Sequence, residues 1–391
     1  MKAIYNGIIV TETEELEGFA VLFEDTIVDI VNKSEIPESA ELIDAKGGYI
    51  LPGLIDIHIH GQLGLEIGFT DVDGIREISR HLTEFGVTAW YPTTTTLPEE
   101  RLDWAFGEIK KAMETPEVEW QGAKVLGANS EGPYINHEKR GAQAPQYILK
   151  PNAKFIIDHS DVVKIVTIAP EEDEGYAAIK EITEKTNTVV SLGHTGADFD
   201  TANSAFLSGA KLSTHTFNAM SPLNHRNPGV VGAALTNENV YCELICDTVH
   251  VNPALFGMMA KLKGEKLVLI TDNIGPAGLP DGEYESGSLP VTLKSPYCNL
   301  HDGTIAGSVY HLNEAIRNFR NYTNLPLPEI VKASSLNPAT LMGEEKLRGS
   351  IKPGKRADIF IADKDFNVKS TFILGKMCYN GYGWSKHTVS T

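Results

Sequence analysis

Cysteine is scarce in this chain. There are four in 391 residues, at Cys242, Cys246, Cys298 and Cys378, and no two stand in a CxxC pair. Cys242 and Cys246 lie in an apolar run, where buried free thiols are common. The set therefore points to structural thiols in a reducing compartment. No stretch approaches the ~20 consecutive apolar residues of a membrane span, which argues against a transmembrane helix. The opening residues MKAIYNGIIVTETEELEG carry no apolar h-region of a secretory signal, so the expected location is cytoplasmic. Basic residues are in deficit: Lys and Arg total 34 against 52 acidic residues, for a net charge of −18. Such a field repels nucleic acid and anionic membrane, and neither is expected as a partner. A small anionic substrate is not excluded, because it feels mainly the local site.

What is present is an ordinary globular balance, 42% apolar and 22% charged, ample for a sizeable core. Short alternating segments open the chain: KAIYNGIIV, FAVLFEDTIVDIV and AELIDAKGGYI. They read as a small antiparallel β unit. From Leu51 the character changes, and apolar runs of strand length alternate with amphipathic helical stretches. The runs are residues 53–60, 87–94, 123–132, 162–170, 188–194, 211–219, 241–247 and 266–272. Helical stretches such as Asp73–Phe85 and Pro98–Met113 fill the gaps. Near-continuous apolar strands with helices between them imply a parallel sheet covered on both faces. Eight such units predict an α/β fold, a (β/α)8 TIM-type barrel; a doubly wound open sheet is the fallback. Residues 281–307 break the rhythm like a hairpin excursion. The tail from Ile351 alternates again, and is expected to pair with the N-terminal strands. The predicted organisation is a small β domain from residues 1–52 and 346–391, and a hydrolase barrel over 53–345.

The chemistry-bearing residues stand at the ends of the runs. His58 and His60 close the first; at i and i+2 on a strand they point to one side. Two imidazoles on one face can chelate a divalent ion, but a lone HxH is a weak signal, since solvated or core histidines are commoner. Glu131 ends the third run, His194 the fifth, His215 the sixth and Asp272 the eighth. In a parallel barrel all C-terminal strand ends gather on one face, where the active sites of this architecture sit. Six residues of metal-ligand or acid/base type would thus converge from positions more than 200 apart in sequence. Imidazole and carboxylate together suit zinc, iron or manganese. A catalytic ion of this kind acidifies water, and Asp272 is placed to take a proton and return it to a leaving group.

Several motifs stand in a specific order: HIHG at 58–61, SEGPY at 130–134, SLGHTGA at 191–197 and HTFNAM at 215–220. RNPG at 226–229, TD at 271–272, GTIAGS at 303–308 and NPA at 337–339 continue it. This order resembles the N-acetylglucosamine-6-phosphate deacetylases of the amidohydrolase superfamily, over almost the whole chain. The resemblance implies Glu131, His194 and His215 as the main metal ligands. It implies His58 and His60 as ligands of a second ion in members with two, and Asp272 as the catalytic acid/base. Asn218, Ala219, Arg226 and His250 match positions that hold the sugar phosphate, and Gln143 stands where some members have a substrate-binding histidine. Some of these groups reach across a dimer interface in the family, so a homodimer is expected. The implied reaction is hydrolysis of the acetamide of an N-acetyl amino sugar 6-phosphate, with one or two divalent ions.

Each substrate candidate has a plainer reading. Arg226 could be a solvated loop residue, although an Arg fork suits a phosphate, and Asn218 could cap a turn. Two segments depart from the family pattern. TDNIGPAGLP has Asn273 and Ile274 where small residues follow the aspartate, and DTVH replaces DGxH before His250. These put the sugar in doubt rather than the metal chemistry. Competing readings are deacetylation of N-acetylgalactosamine 6-phosphate or of an unphosphorylated sugar, cyclic-amide hydrolysis, and a catalytically inactive sugar-phosphate-binding protein. Cyclic amidases generally need a carboxylated lysine at the fourth strand end, which reads TIAP here.

Overall fold

The computed structural model describes residues 1–382 of the 391. All eight apolar runs become strands of one parallel sheet: β1 (Leu54–Ile59), β2 (Val87–Thr94), β3 (Ala128–Glu131), β4 (Val163–Ile168), β5 (Val189–Leu192), β6 (Leu212–Ser213), β7 (Tyr241–Ile245) and β8 (Leu267–Ile270). Neighbours pair in chain order from β1 to β8. The ring closes at the C-terminal ends, where the Asp272 N–H donates to the His58 carbonyl at 2.9 Å and the His60 N–H to the Asn273 carbonyl at 2.7 Å. Every residue of these strands is buried except Lys164. That is the physical reason the runs read as continuous apolar segments rather than alternating ones.

Helices cover the outside, among them α1 (Val72–Leu82) and α2 (Glu99–Glu114). The Asp71 side chain starts α1 by accepting from the N–H groups of Asp73 and Gly74 at 3.2 and 3.1 Å. The α1 residues Ile75, Ile78 and Leu82 face the barrel, at helical spacing.

The chain ends depart from the expected antiparallel unit. They form two sheets that share a core of Ile4, Phe23, Ile50, Ile359 and Phe372. In one sheet Lys2–Tyr5 pairs parallel with Glu41–Asp44, and in the other Ile8–Val10 pairs parallel with Tyr49–Pro52. Alternation reports which face is buried, not which strand lies alongside, so the parallel partners were not readable. The tail does pair with the N-terminal part: Ile359–Ala362 runs antiparallel to Tyr49–Pro52. Phe360 of that strand is fully buried and lies against Gly86, whose φ is +79° and where a Cβ would fall 2.8 Å from the Phe360 ring. Phe360→Ala is expected to lower stability by about 3–5 kcal/mol, read as a lower denaturation midpoint at constant slope. A loss under about 1 kcal/mol would mean that this ring does not anchor the sheet to the barrel.

The excursion at 281–307 is a three-stranded antiparallel sheet, Gly282–Ser286, Leu289–Lys294 and Tyr297–Leu300. It has its own small core of Val291, Leu293, Cys298 and Ala306, completed by Ile274 from the barrel rim.

Candidate metal centre and active site

The six residues expected at the strand ends lie together at the C-terminal mouth of the barrel. Glu131 is central. Its Oε1 lies 2.9 Å from His215 Nε2, 3.2 Å from His194 Nε2 and 3.2 Å from His58 Nε2, and its Oε2 lies 3.2 Å from His60 Nε2. Asp272 Oδ1 faces the same centre, 3.2 Å from His60 Nε2 and 3.4 Å from His58 Nε2. All six residues are buried. The ligand atoms form two sets that share Glu131, one with His58 and His60, the other with His194 and His215; within each set they lie no more than 4.8 Å apart.

The chain turns sharply to present these groups. His194, His215 and Asp272, just past β5, β6 and β8, have φ of +47°, +29° and +55°. Left-handed backbone costs a non-glycine residue of order 1 kcal/mol or more, so neighbours must hold it. The His194 carbonyl accepts from the Asn136 N–H at 2.9 Å and the Asp272 carbonyl from the Ser308 N–H at 2.8 Å. The early turn at His215 is also why the sixth run supplies only two strand residues.

Donor chemistry shows what the centre fits. His60 Nδ1 lies 3.1 Å from the Thr93 carbonyl and His194 Nδ1 2.8 Å from the Lys139 carbonyl. A carbonyl only accepts, so each Nδ1 carries the proton and each neutral ring turns an Nε2 lone pair inward. His58 makes the same arrangement with the Glu243 carboxylate at 2.9 Å. Lone pairs and carboxylate oxygens thus meet at hydrogen-bond distance with no donor between them, as at 3.3 Å between the Nε2 atoms of His58 and His60. A bound cation satisfies such a set, and the residue types fit a divalent ion. Protons answer the same demand. Burial works against a charge on His60, but hydrogen bonds to Asp272 and Glu131 outweigh it and push the pKa up to about 9. Burial likewise opposes ionisation of Glu131, yet His58 and His194 hold it well below the usual carboxylate range.

A cavity of about 630 Å³ opens above this centre. Asn218, Ala219, His250 and Gln143 line it, together with Asp272. His250 Nδ1 donates to Asp247 Oδ2 at 2.6 Å, which orients the ring. Gln143 uses both ends of its amide on the protein: Nε2 donates to Glu131 Oε2 at 2.6 Å and Oε1 accepts from the Thr96 N–H at 2.6 Å. Arg226 is exposed and is not among the lining residues.

The two departures acquire structural reasons. Ile274 lines the cavity and docks the three-stranded excursion, while Asn273 Oδ1 accepts from Ser308 Oγ at 2.8 Å. Thr248 of DTVH has φ +68°, a conformation unfavourable for a β-branched residue and open to glycine.

Sequence reasoning missed Glu243 and Glu66. Glu243 was visible as a lone acid inside the apolar run YCELICD. Glu66, in GLEIG, left no periodic signal, because it lies in a rim hairpin that pairs Leu65–Glu66 with Gly61–Gln62. It lines the cavity, and its Oε1 accepts from the Gly287 N–H at 2.7 Å and from Ser286 Oγ at 3.2 Å. Burial raises its carboxyl from 4.5 to about 7, against the lowering effects of His60 and these hydrogen bonds. The folded protein therefore holds this proton more tightly than the unfolded chain. Its contribution to stability is full below pH 4.5 and is lost as pH rises through about 7. Glu66→Gln, which mimics the protonated form, should remove that loss. The stability difference between variant and wild type should change by about 3 kcal/mol across this window, and a difference that stays constant with pH would refute the assignment.

Comparison with known proteins agrees with this geometry. Residues 49–378 match the amidohydrolase family. The chain is 34% identical to N-acetylglucosamine-6-phosphate deacetylase of Bacillus subtilis strain 168, over 95% of both chains. It is 31% identical to N-acetylgalactosamine-6-phosphate deacetylase of Escherichia coli O157:H7, over 94% of this chain and 97% of that one. The crystal structure of N-acetylglucosamine-6-phosphate deacetylase from Pasteurella multocida superposes with a TM-score of 0.91 at 30% identity, covering 96% of this chain and 99% of that one. With its eight-stranded barrel and its histidine–carboxylate centre, the chain belongs to the amidohydrolase family, among the N-acetylglucosamine-6-phosphate deacetylases.

Proposed function

We propose that this protein hydrolyses the acetamide of an N-acetyl amino sugar 6-phosphate, with N-acetylglucosamine 6-phosphate as the expected substrate. The products are acetate and the free amino sugar phosphate. The observation that carries the reading is the buried Asp272 carboxylate on the wall of a sugar-sized cavity, 3.2 Å from His60 and beside the ligands that share Glu131. Glu131, His194 and His215 would be the principal ligands, and His58 and His60, beside the same carboxylate, would hold a second ion. Zinc, iron and manganese all suit these donors. A divalent ion held there would supply Lewis-acid polarisation of the acetyl carbonyl and lower the pKa of the attacking water. Asp272 Oδ1 takes the proton as the water oxygen adds to the carbonyl carbon, and returns it to the sugar nitrogen as the C–N bond breaks. Gln143 holds Glu131 in place by donating to the carboxylate oxygen that also faces His60.

The phosphate is assigned to Asn218, Ala219, His250 and Arg226. His250 offers Nε2–H to the phosphate in its protonated form, which the Asp247 carboxylate on Nδ1 favours against the effect of burial. The exposure of Arg226 fits a homodimer in which it serves the cavity of a second copy. Binding energy at the phosphate, remote from the reacting bond, positions the acetamide. N-acetylgalactosamine 6-phosphate is the second reading. It is supported by the similarity to the N-acetylgalactosamine-6-phosphate deacetylase of Escherichia coli O157:H7. An acetate-release screen over both N-acetyl hexosamines, with and without the 6-phosphate, tests the proposal. Turnover should require the phosphate, and equal rates without it would discard the roles given to Arg226 and His250.

A further inference from the structure

We propose that Glu243 is a positioning residue for the metal centre, which sets the affinity of the His58/His60/Glu131 position by holding His58 and the backbone of His215 with a single carboxylate oxygen. The inference rests on the metal centre described above.

Glu243 lies in the middle of β7, fully buried, with Cys242, Leu244 and Ile245 beside it. A carboxylate in such a strand is costly unless its charge is used. Its Oε2 accepts from His58 Nδ1 at 2.9 Å and from the His215 N–H at 2.8 Å. Its Oε1 is buried with no hydrogen-bond partner among the described residues, a loss of about 1–3 kcal/mol for a polar atom. If the side chain served only as a structural acceptor, the amide oxygen of glutamine would accept the same two hydrogen bonds from the same place, without a buried charge. What glutamine lacks is the charge itself. A carboxylate on Nδ1 of a ligating histidine fixes the tautomer, aims the ring and raises the basicity of Nε2. The other two inward-facing histidines with a partner on Nδ1, His60 and His194, have neutral carbonyls there. Glu243 therefore singles out His58. Through the His215 N–H it also steadies the left-handed turn that carries a ligand of the other set, so one side chain touches both halves of the centre.

Zinc titration of the metal-free protein in competition with a chromogenic chelator tests this, since it reads stoichiometry and affinity without turnover. Wild type, H58A, E243Q, E243L and the double variants with H58A are compared. E243L should weaken by about 100-fold the equivalent that H58A removes, and E243Q by about tenfold. The position built from His194 and His215 should change less. In the H58A background the large loss should disappear and only the smaller change at the His194 and His215 position should remain, because Glu243 reaches the first position through His58. If E243L does not fold, the isosteric E243Q alone and with H58A completes the cycle. Wild-type zinc binding left unchanged by E243Q and E243L would overturn the inference and leave the metal centre standing. So would a loss in the H58A background as large as that in the wild-type background. A wild-type protein that takes up no zinc would overturn the centre itself, whatever the Glu243 variants do. Absence of acetate release with zinc bound would count against the substrate reading alone.

Discussion

Asp272→Asn is expected to lower kcat by about 10²–10⁴-fold without loss of bound metal. Asparagine preserves the size of the side chain and one oxygen beside His60, so the turn after β8 and its closure onto His58 should survive. It cannot take a proton from water or return one to the sugar nitrogen. The variant therefore separates proton transfer from binding: substrate affinity and metal content should stay near wild type. Metal analysis and acetate release on one preparation check both halves. Full activity would remove Asp272 from the mechanism. Loss of metal together with activity would make it a ligand rather than an acid/base.

Glu131→Ala is expected to have the other large effect. Glu131 belongs to both ligand sets, with His58 and His60 on one side and His194 and His215 on the other. Removing it should empty both positions, whereas His58→Ala should spare the His194 and His215 position. It also leaves four buried imidazoles without their shared carboxylate. An ion at a thousand times its dissociation constant contributes about 4 kcal/mol to apparent stability, so the variant should melt at a lower temperature than the metal-loaded wild type. A chelator should lower the melting temperature of wild type and leave that of Glu131→Ala unchanged. Retention of wild-type metal equivalents by the variant would refute the shared-ligand reading.

The fold was largely legible because burial on both faces leaves a strong mark. β2 is buried along its whole length, and so its sequence runs VTAWYPTT without alternation. The rhythm of such runs and helices identified the barrel, and the rhythm placed His58, Glu131, His194, His215 and Asp272 at strand ends. The strands at the chain ends were legible as strands, and so was the pairing of the tail with the N-terminal part, but the parallel pairing of Lys2–Tyr5 with Glu41–Asp44 was not, because these meet only through a long connection. The excursion at 281–307 was visible as a break in rhythm. That it would supply the Gly287 N–H to Glu66 and close one wall of the cavity was not.

By itself the sequence determined which residues could do chemistry and on which rim of the barrel they would stand, since strand periodicity and parallel order constrain direction. Only the tertiary structure decided how those residues divide the work. The lone HxH of the first run becomes informative once His58 is found on a buried carboxylate 185 positions away, while His60 rests on a backbone carbonyl. Gln143, a substrate candidate in sequence, turns both ends of its amide to the protein. Arg226 stands outside the cavity of its own chain. Hydrogen-bond partners, tautomers and exposure are set by distances across the fold, and one-dimensional spacing does not carry them.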